Sequence, residues 1–309
     1  MSEEDQARAG DTTSGAPDVR EPGPLVLHGR SFPLGRLLVM AIVNRTPDSF
    51  YRPGLTWDSR AALDHAHRVI AEGADIVDVG GVPAKPGGEV TVAEEVRRVV
   101  PFIETIRAAY PEIVISVDTW RHEVGRAACE AGADLLNDTW GGWDPELTDV
   151  AAEFGAGLVC SHAGGLPPRT RPFRVSYPDI MADVLARVLA LTERAARAGV
   201  DPAGIIIDPA HDFGKNTWHS LEITRRLGEM TATGWPVLMS ASHKDFVGET
   251  LGAGIDDRLS GTLAVTTVGA WLGARIFRAH NVTETRQALD MVATIRGDRV
   301  PARTVRGLA

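Results

Sequence analysis

The sequence predicts an α/β protein built as a single (β/α)8 TIM barrel behind a disordered N-terminal leader. Eight short apolar runs recur along the chain, stretches with helical period separate them, and glycine marks several helix-to-strand junctions. The runs are continuously apolar rather than alternating, which is typical of parallel strands covered on both faces. They occupy residues 37–44, 75–81, 113–119, 134–140, 157–162, 205–210, 236–242 and 274–280. A doubly wound open sheet is the structural alternative.

Helical periodicity is clearest at residues 59–73, 91–109 and 179–199. Glycine follows a helical stretch directly before the next apolar run in the segments EGAD, EAGAD and LGAR, as it commonly does at helix ends. The similarity of AEGADIVDVGG to EAGADLLNDTWGG indicates one helix-to-strand unit used repeatedly. Together these features favour the barrel.

Composition limits the class of protein. The chain has 309 residues, 44% of them hydrophobic and 24% charged, which suffices for one large core. Residues 1–24 hold six acidic and two basic residues and no apolar stretch, so we expect a disordered leader, a barrel at 25–300 and a tail at 301–309. No apolar run is long enough to span a bilayer, and we expect a cytoplasmic protein. The mild acidity of the rest argues against a nucleic-acid surface.

Two cysteines, Cys129 and Cys160, lack the spacing of a metal site or of a disulfide framework. We expect both to be buried packing residues.

Polar or ionisable residues end every apolar run. In a barrel the carboxyl ends of the strands converge on one rim, which is where chemistry takes place. A single Asp or Ser after a strand is often only a helix cap, but caps do not call for Asn, Asp, Lys, Arg and His on one rim. The endings are Asn44, Asp78, Asp118, Asn137 with Asp138, His162, Asp208, Ser242 with Lys244, and Arg278 with His280.

This rim predicts a slot for a planar nitrogen heterocycle beside an anionic tail. Barrels often hold phosphate near the seventh and eighth strands, where Lys244 and Arg278 fall. Carboxylates such as Asp118 and Asp208 accept two N–H groups at once, which suits the edge of a flat heterocycle. Asn44 could join a phosphate oxygen in holding Mg²⁺.

Eight motifs, in order between about residues 37 and 290, resemble those of dihydropteroate synthase. They are MAIVNRTPDSF (40–50), GADIVDVGG (73–81), ISVDTW (115–120), AGADLLNDTWGG (131–142), IIIDPAHDFGKN (205–216), SHKDFVGE (242–249), RLSGTLA (258–264) and FRAHNV (277–282). The resemblance implies a homodimeric barrel that joins p-aminobenzoate to 6-hydroxymethyl-7,8-dihydropterin pyrophosphate with Mg²⁺ as cofactor, through a dissociative displacement of pyrophosphate.

The resemblance also implies roles for individual residues. Lys244, Asp118 and Arg278 are the expected catalytic residues, and Lys85 is expected to contact substrate. The pterin would be held by Asp118, Asn137, Asp208, Phe213 and Lys244, the pyrophosphate and metal by Asn44, Arg278 and His280, and the aminobenzoate would face Ser242.

The substrate loops depart from the family pattern. Where the family has Gly-Gly-Glu-Ser-Thr-Arg-Pro-Gly, residues 80–87 read GGVPAKPG, so Lys85 replaces an arginine and cannot form a bidentate fork. In the first loop Arg52 replaces an acidic residue. An ion pair between that acid and the arginine of the second loop would become repulsion between Arg52 and Lys85. Other departures are Ala210, His211 and Asp212 in the sixth loop, His243 for arginine, and Asn281 for aspartate.

The deep pterin residues are kept while the loops differ. The sequence therefore looks most like the divergent second dihydropteroate synthase of actinobacteria, in which we expect the ordinary activity to be weak, altered or lost. Two alternatives stay open: an aldolase-type barrel with Lys244 as a Schiff-base lysine, and a pterin-binding or regulatory protein without turnover.

Several other residues have two interpretations. His162 either touches ligand or is a hydrogen-bonded structural histidine. Tryptophans at the loop bases, Trp120, Trp140 and Trp143, either line the pocket or pack a helix onto the barrel. For the basic patch of Arg169, Arg171 and Arg174 the sequence favours a solvated loop over an anion site.

Overall fold

The computed structural model describes residues 20–46 and 59–306. Its strands are β1 Leu25–Leu27, β2 Arg30–Phe32, β3 Leu38–Asn44, β4 Ile76–Gly80, β5 Val114–Asp118, β6 Leu135–Asp138, β7 Gly157–Ser161, β8 Ile205–Asp208, β9 Leu238–Met239 and β10 Ile276–Ala279. The helices are α1 Ser59–Ala71, α2 Val92–Ala109, α3 His122–Glu130, α4 Glu146–Phe154, α5 Ile180–Ala198, α6 Thr217–Arg225, α7 Leu227–Thr231, α8 Asp245–Leu251, α9 Leu259–Trp271 and α10 Val282–Arg296.

Eight parallel strands form the barrel, in the order β8-β7-β6-β5-β4-β3-β10-β9. A parallel bridge between Ile207 and Val237, with the Ile207 N–H donating to the Pro236 carbonyl at 2.9 Å, links the two ends of that order. The barrel prediction is confirmed, and the open doubly wound sheet was wrong.

Strand register places the carboxyl ends side by side. Asn44 pairs with Gly80, Gly80 with Asp118, and Asp118 with Asn137. On the next strands Ser161 pairs with Asp208. Residues far apart in the chain therefore share one rim: Asn44 and Asp208, which both end barrel strands, are 164 positions apart.

A short hairpin closes the opposite end of the barrel. Antiparallel β1 and β2 bring Leu25, Leu27 and Phe32 into one cluster with barrel side chains such as Met40 and Ile206. Sequence periodicity did not predict this hairpin, because three-residue strands are too short to show a period. Next to it the Arg20 N–H donates to the Thr233 carbonyl at 3.1 Å.

Helix ends follow the expected local chemistry. Thr91 and Asp179 accept hydrogen bonds from first-turn amides of α2 and α5 at 3.2 and 3.0 Å. The three predicted junction glycines, Gly73, Gly132 and Gly273, have φ of 100°, 107° and 102°, a region that side chains disfavour. The three predicted helices at 59–73, 91–109 and 179–199 are present as α1, α2 and α5.

No helix within residues 20–46 and 59–306 combines the length and apolar character needed to cross a membrane. Both cysteines are buried free thiols, as predicted, and burial raises the pKa of Cys129 to about 12.

Candidate active site

A cavity of about 530 Å³ opens at the carboxyl ends of the barrel strands. Most of the predicted site residues border it: Asn44, Lys85, Asp118, Phe213, Ser242, Lys244, Arg278 and His280. Asn137 and Asp208 are at most 1% exposed and do not border the open space. They lie on the strand ends that form its floor, Asn137 in register with Asp118.

The floor is a buried network centred on Arg278. Its Nε donates to Asp78 Oδ2 at 2.6 Å and its Nη2 to Asp118 Oδ2 at 2.8 Å. Asp78 also accepts from Ser116 Oγ at 2.6 Å and from Asn137 Nδ2 at 3.3 Å. Asp78 was predicted to lie on the rim, without a role of its own. The structure makes it the carboxylate that anchors both Arg278 and Asn137.

Asn137 has an incomplete hydrogen-bond set. Its amide nitrogen faces the Asp78 carboxylate, whereas its Oδ1 is buried and has no partner among the described residues. A buried acceptor without a donor costs free energy unless a ligand or water supplies one. Asn137 Oδ1 is therefore a buried acceptor without a donor, next to the cavity residue Asp118 in the strand register.

Two of the acidic residues at the strand ends have raised pKa values. Burial raises the pKa of Asp118, although the nearby Arg278 guanidinium opposes this. Burial likewise raises the pKa of Asp208, against the effect of the Lys244 ammonium. Asp208 is fixed by the Ala210 N–H, which donates to its Oδ1 at 2.6 Å. Ligand N–H groups would stabilise the charged form of either carboxylate.

One wall of the cavity is aromatic. Phe213 packs edge-on against Trp140 at 5.0 Å between centroids, and Trp140 packs edge-on against Trp120 at 6.3 Å. All three border the cavity, while Trp143 is 50% exposed and does not. Lys244 Nζ lies 4.9 Å from the Phe213 ring centroid and donates to the His211 carbonyl at 2.5 Å. Burial lowers the pKa of Lys244.

Ser242 and His280 form a pair at the ends of β9 and β10. The His280 N–H donates to Ser242 Oγ at 3.2 Å, and Ser242 Oγ lies 2.9 Å from His280 Nδ1. Burial and the positive charge of Arg278 hold the pKa of His280 well below its usual value. His280 is thus a neutral hydrogen-bonding group at neutral pH, and the positive charges for an anion must come from other residues.

Two departures from the family pattern contact each other. His243 Nε2 lies 2.7 Å from Asn281 Oδ1, and its Nδ1 lies 2.9 Å from the Ile255 carbonyl. Histidine and asparagine thus form a side-chain pair at the two positions where the family pattern has arginine and aspartate. Arg52, which was predicted to repel Lys85, lies outside the described residues.

His162 has a structural role and does not border the cavity. Its Nδ1 lies 2.7 Å from Lys215 Nζ, and its Nε2 lies 2.7 Å from Asp183 Oδ1. Lys215 Nζ also donates to the carbonyls of His162, Ala210 and Phe213. This ammonium therefore fixes the loop that carries Phe213.

His162 makes stability dependent on pH. Burial, with a smaller effect from the nearby charge of Lys215, lowers the pKa of His162 from 6.5 to about 4. Below pH 6.5 the unfolded chain therefore binds more protons than the folded chain. The stability that the neutral His162 contributes is complete above pH 6.5 and is lost as pH falls through about 4. We expect it to add up to about 1.4 kcal/mol per pH unit to the slope of the unfolding free energy in this window. Urea denaturation between pH 7 and pH 5 should show that the unfolding free energy of His162→Gln depends less steeply on pH than that of the unmodified protein. Equal dependence on pH would contradict the role given to His162.

A side chain of the fifth loop holds the second loop over the cavity. Arg169 donates to the Lys85 carbonyl at 3.2 and 3.1 Å and to the Gly88 carbonyl at 2.7 Å. Its neighbours Arg171 and Arg174 are exposed and also border the cavity. The loop is thus solvated, as expected, and it also contributes two cations to the cavity wall.

Removing this contact should loosen both loops. In Arg169→Ala we expect the amides of residues 82–88 to exchange hydrogen roughly fivefold to tenfold faster, because three hydrogen bonds are lost. Arg171→Ala, in the same loop and with the same charge change, is the matched control and should leave those rates unchanged. Equal exchange in Arg169→Ala and the unmodified protein would refute the coupling.

One group outside the cavity has the composition of a metal site. His122, Glu123 and Asp144 place ligand atoms within 4.8 Å of one another. Asp144 Oδ2, however, accepts from the His122 backbone N–H and lies 2.8 Å from its ring Nδ1, so it caps the first turn of α3. These contacts account for the cluster without an ion.

Comparison with known proteins identifies the family. The model of the family described as pterin binding enzyme matches residues 40–280. The protein named inactive dihydropteroate synthase 2 of Mycobacterium leprae is 59% identical over 288 residues, covering 92% of this chain and 99% of that protein. Dihydropteroate synthase of Escherichia coli K12 is 37% identical over 269 residues, covering 87% of this chain and 95% of the enzyme.

A solved structure gives the same result for the fold. The crystal structure of Yersinia pestis dihydropteroate synthase with a sulfonamide drug complex superposes with a TM-score of 0.84 at 32% identity, covering 89% of this chain and 100% of that one. The family motifs, the barrel and the match over residues 40–280 agree. This chain belongs to the pterin binding enzyme family and has the dihydropteroate synthase fold.

Proposed function

We propose that this protein binds a reduced pterin diphosphate in the barrel cavity, and that ordinary dihydropteroate synthesis is weak or lost. The observation that carries the proposal is the kept floor, in which buried Asn137 presents an unpartnered acceptor beside the Asp78–Arg278–Asp118 network. The printed name of the Mycobacterium leprae relative supports the second part.

The floor suits the chemistry of a pterin. A pterin is flat and carries several N–H donors on one edge, and Asn137 and Asp208 offer acceptors for such an edge. Phe213 and Trp140 supply an aromatic wall for the ring. Lys244 is held by the His211 carbonyl above Phe213, which favours ligand binding over attack on a carbonyl substrate.

The residues present also fit Mg²⁺ carried in with a diphosphate. Asn44 Oδ1 faces Gly80 so closely that a Cβ there would lie 3.1 Å from it, and the glycine leaves that space open. Mg²⁺ takes few protein ligands and keeps phosphate oxygens and water for the rest, so one amide oxygen suffices. When bound, the ion would neutralise charge on the leaving diphosphate. Lys85, Arg171 and Arg174 supply cations to the same cavity.

The expected loss of activity rests on the loops. Lysine at position 85 supplies a point charge where arginine would supply a planar fork. Asp212 introduces a carboxylate on the cavity wall. The kept pterin floor therefore faces an altered second-substrate region.

Turnover can be measured directly. Purified protein given p-aminobenzoate, 6-hydroxymethyl-7,8-dihydropterin pyrophosphate and Mg²⁺ should release pyrophosphate at least about 100-fold more slowly than the Escherichia coli enzyme, a difference of roughly 2.7 kcal/mol in activation free energy. Calorimetry with the pterin pyrophosphate alone, on the same preparation, shows whether the site is intact. A rate equal to that of the Escherichia coli enzyme would refute the loss, and binding without turnover would favour the non-catalytic alternative.

We also propose a homodimer. Four apolar side chains on α9 and α10 are 45–60% exposed, which is unusual for neighbouring helices of a monomer. They are Val268, Trp271, Met291 and Ile295. Light scattering at micromolar concentration should give twice the chain mass, and the monomer mass would overturn this.

A further inference from the structure

The Asp212 carboxylate accepts hydrogen bonds from the backbone N–H groups at the start of α8. Its Oδ2 accepts from the N–H of Asp245 at 2.7 Å and from the N–H of Phe246 at 3.3 Å. Its other oxygen, Oδ1, lies 3.3 Å from Ser220 Oγ, which in turn accepts from the Asp212 N–H at 3.2 Å. Both carboxylate oxygens are therefore fixed by the protein itself.

This carboxylate lies on the cavity wall, and it is not the only acid there. Asp245 and Glu249 of α8 border the same cavity. Arg258 pairs with Asp245 at 2.9 Å, and Thr217 donates to Glu249. Asp212 differs from Asp245 and Glu249 because it accepts from the backbone N–H groups at the start of α8 as well as carrying a charge.

An aromatic carboxylate that entered this part of the cavity would meet two obstacles. The amides of Asp245 and Phe246 already have an acceptor, so they cannot bind a second one without displacing Asp212. The incoming anion would also be repelled by the carboxylates of Asp212 and Glu249, because the nearby positive charge of Lys244 is already offset by Asp208 and Asp212. An uncharged or cationic group meets neither obstacle.

We infer that Asp212 is a specificity-determining residue that excludes carboxylates from the half of the cavity next to α8, so that the second ligand is an uncharged or cationic molecule. The inference rests on the proposed pterin-binding function and names the class of its second ligand. Three of the cations that border the cavity, Lys85, Arg171 and Arg174, lie on loops other than the one that leads into α8, which leaves the anionic tail of the pterin a separate place to bind.

The test compares p-aminobenzamide with p-aminobenzoate, which differ in charge and little in shape. Each is titrated by calorimetry into protein saturated with 6-hydroxymethyl-7,8-dihydropterin and free pyrophosphate, a mixture in which the pterin carries no diphosphate and therefore cannot react with the second ligand. The unmodified protein should bind the amide at least about tenfold more tightly than the acid.

Two variants separate charge from blocked donors. Asp212→Asn removes the charge but keeps an acceptor, and it should reduce the preference for the amide. Asp212→Gly also frees the two amides, and glycine accepts the φ of 70° at this position without strain, so the preference should vanish. Asp256→Asn, an exposed charge change outside the cavity lining, is the control and should leave the preference unchanged.

Each outcome is decisive. Equal or tighter binding of p-aminobenzoate to the unmodified protein overturns the inference, as does an unchanged ratio in both Asp212 variants. If the dihydropterin itself does not bind during saturation, the proposed function fails, and that failure is seen before either second ligand is added.

Discussion

Replacement of Arg278 by methionine should lower the free energy of unfolding by about 3–5 kcal/mol and abolish pterin binding. Asp78 is fully buried, and Arg278 is its only cationic partner among the described residues. Without the guanidinium, Asp78 keeps only hydrogen bonds from Ser116 and Asn137. An uncompensated buried carboxylate is among the most destabilising results of a single substitution.

Urea denaturation and pterin calorimetry measure the two effects. Arg278 also pairs with Asp118, but Asp78 is the fully buried partner, so the double variant Arg278→Met, Asp78→Asn should recover much of the stability but none of the pterin binding. Arg226→Ala breaks only partly exposed ion pairs, with Asp179, Glu222 and Glu229, and should cost far less. A small loss in Arg278→Met, comparable to that of Arg226→Ala, would show that the floor network is not a buried ion pair.

Replacement of Asn137 by leucine should separate binding from stability. The variant loses two long hydrogen bonds to Asp78 but also removes a buried acceptor that has no partner, so we expect little change in the unfolding free energy. Pterin binding should weaken by roughly tenfold to 100-fold, because the Oδ1 acceptor for a ligand N–H is gone.

Ser116→Ala is the matched control for Asn137→Leu. It removes another hydrogen bond to Asp78 without changing Asn137 Oδ1. It should therefore reduce stability and leave pterin affinity nearly unchanged. The reverse pattern, in which Asn137→Leu unfolds the protein and keeps its affinity, would assign Asn137 a purely structural role.

Sequence reasoning was most successful where one local rule decides the structure. Continuous apolar runs gave the parallel strands, and glycine before a strand gave the positive φ at Gly73, Gly132 and Gly273. The rim followed from topology, since the carboxyl ends of all barrel strands face the same way.

The contacts made by the rim residues could not be derived in this way. Arg278 and Asp78 are 200 positions apart, and no spacing rule links a tenth strand to a fourth. The Asp212 cap on α8 depends on the backbone of a different loop, and so does the Arg169 contact with the second loop. The β1–β2 hairpin was missed because its strands are too short to show periodicity.

Residues that depart from the family pattern make contacts near α8 that the sequence did not predict. His243 and Asn281 contact each other, so their substitutions form one change rather than two. His211 stacks on Phe246 at 5.3 Å, directly beside the Asp212 cap. The residues that depart from the family pattern next to α8 thus contact each other or the first turn of that helix.

A titration of the unmodified protein with 6-hydroxymethyl-7,8-dihydropterin pyrophosphate and Mg²⁺ tests the central claim most directly. The kept floor predicts saturable heat with one ligand per chain, and loss of that heat in Arg278→Met, Asp78→Asn. A folded protein that gives no saturable heat, or a double variant that binds as tightly as the unmodified chain, would contradict the claim that these strand ends form a pterin site.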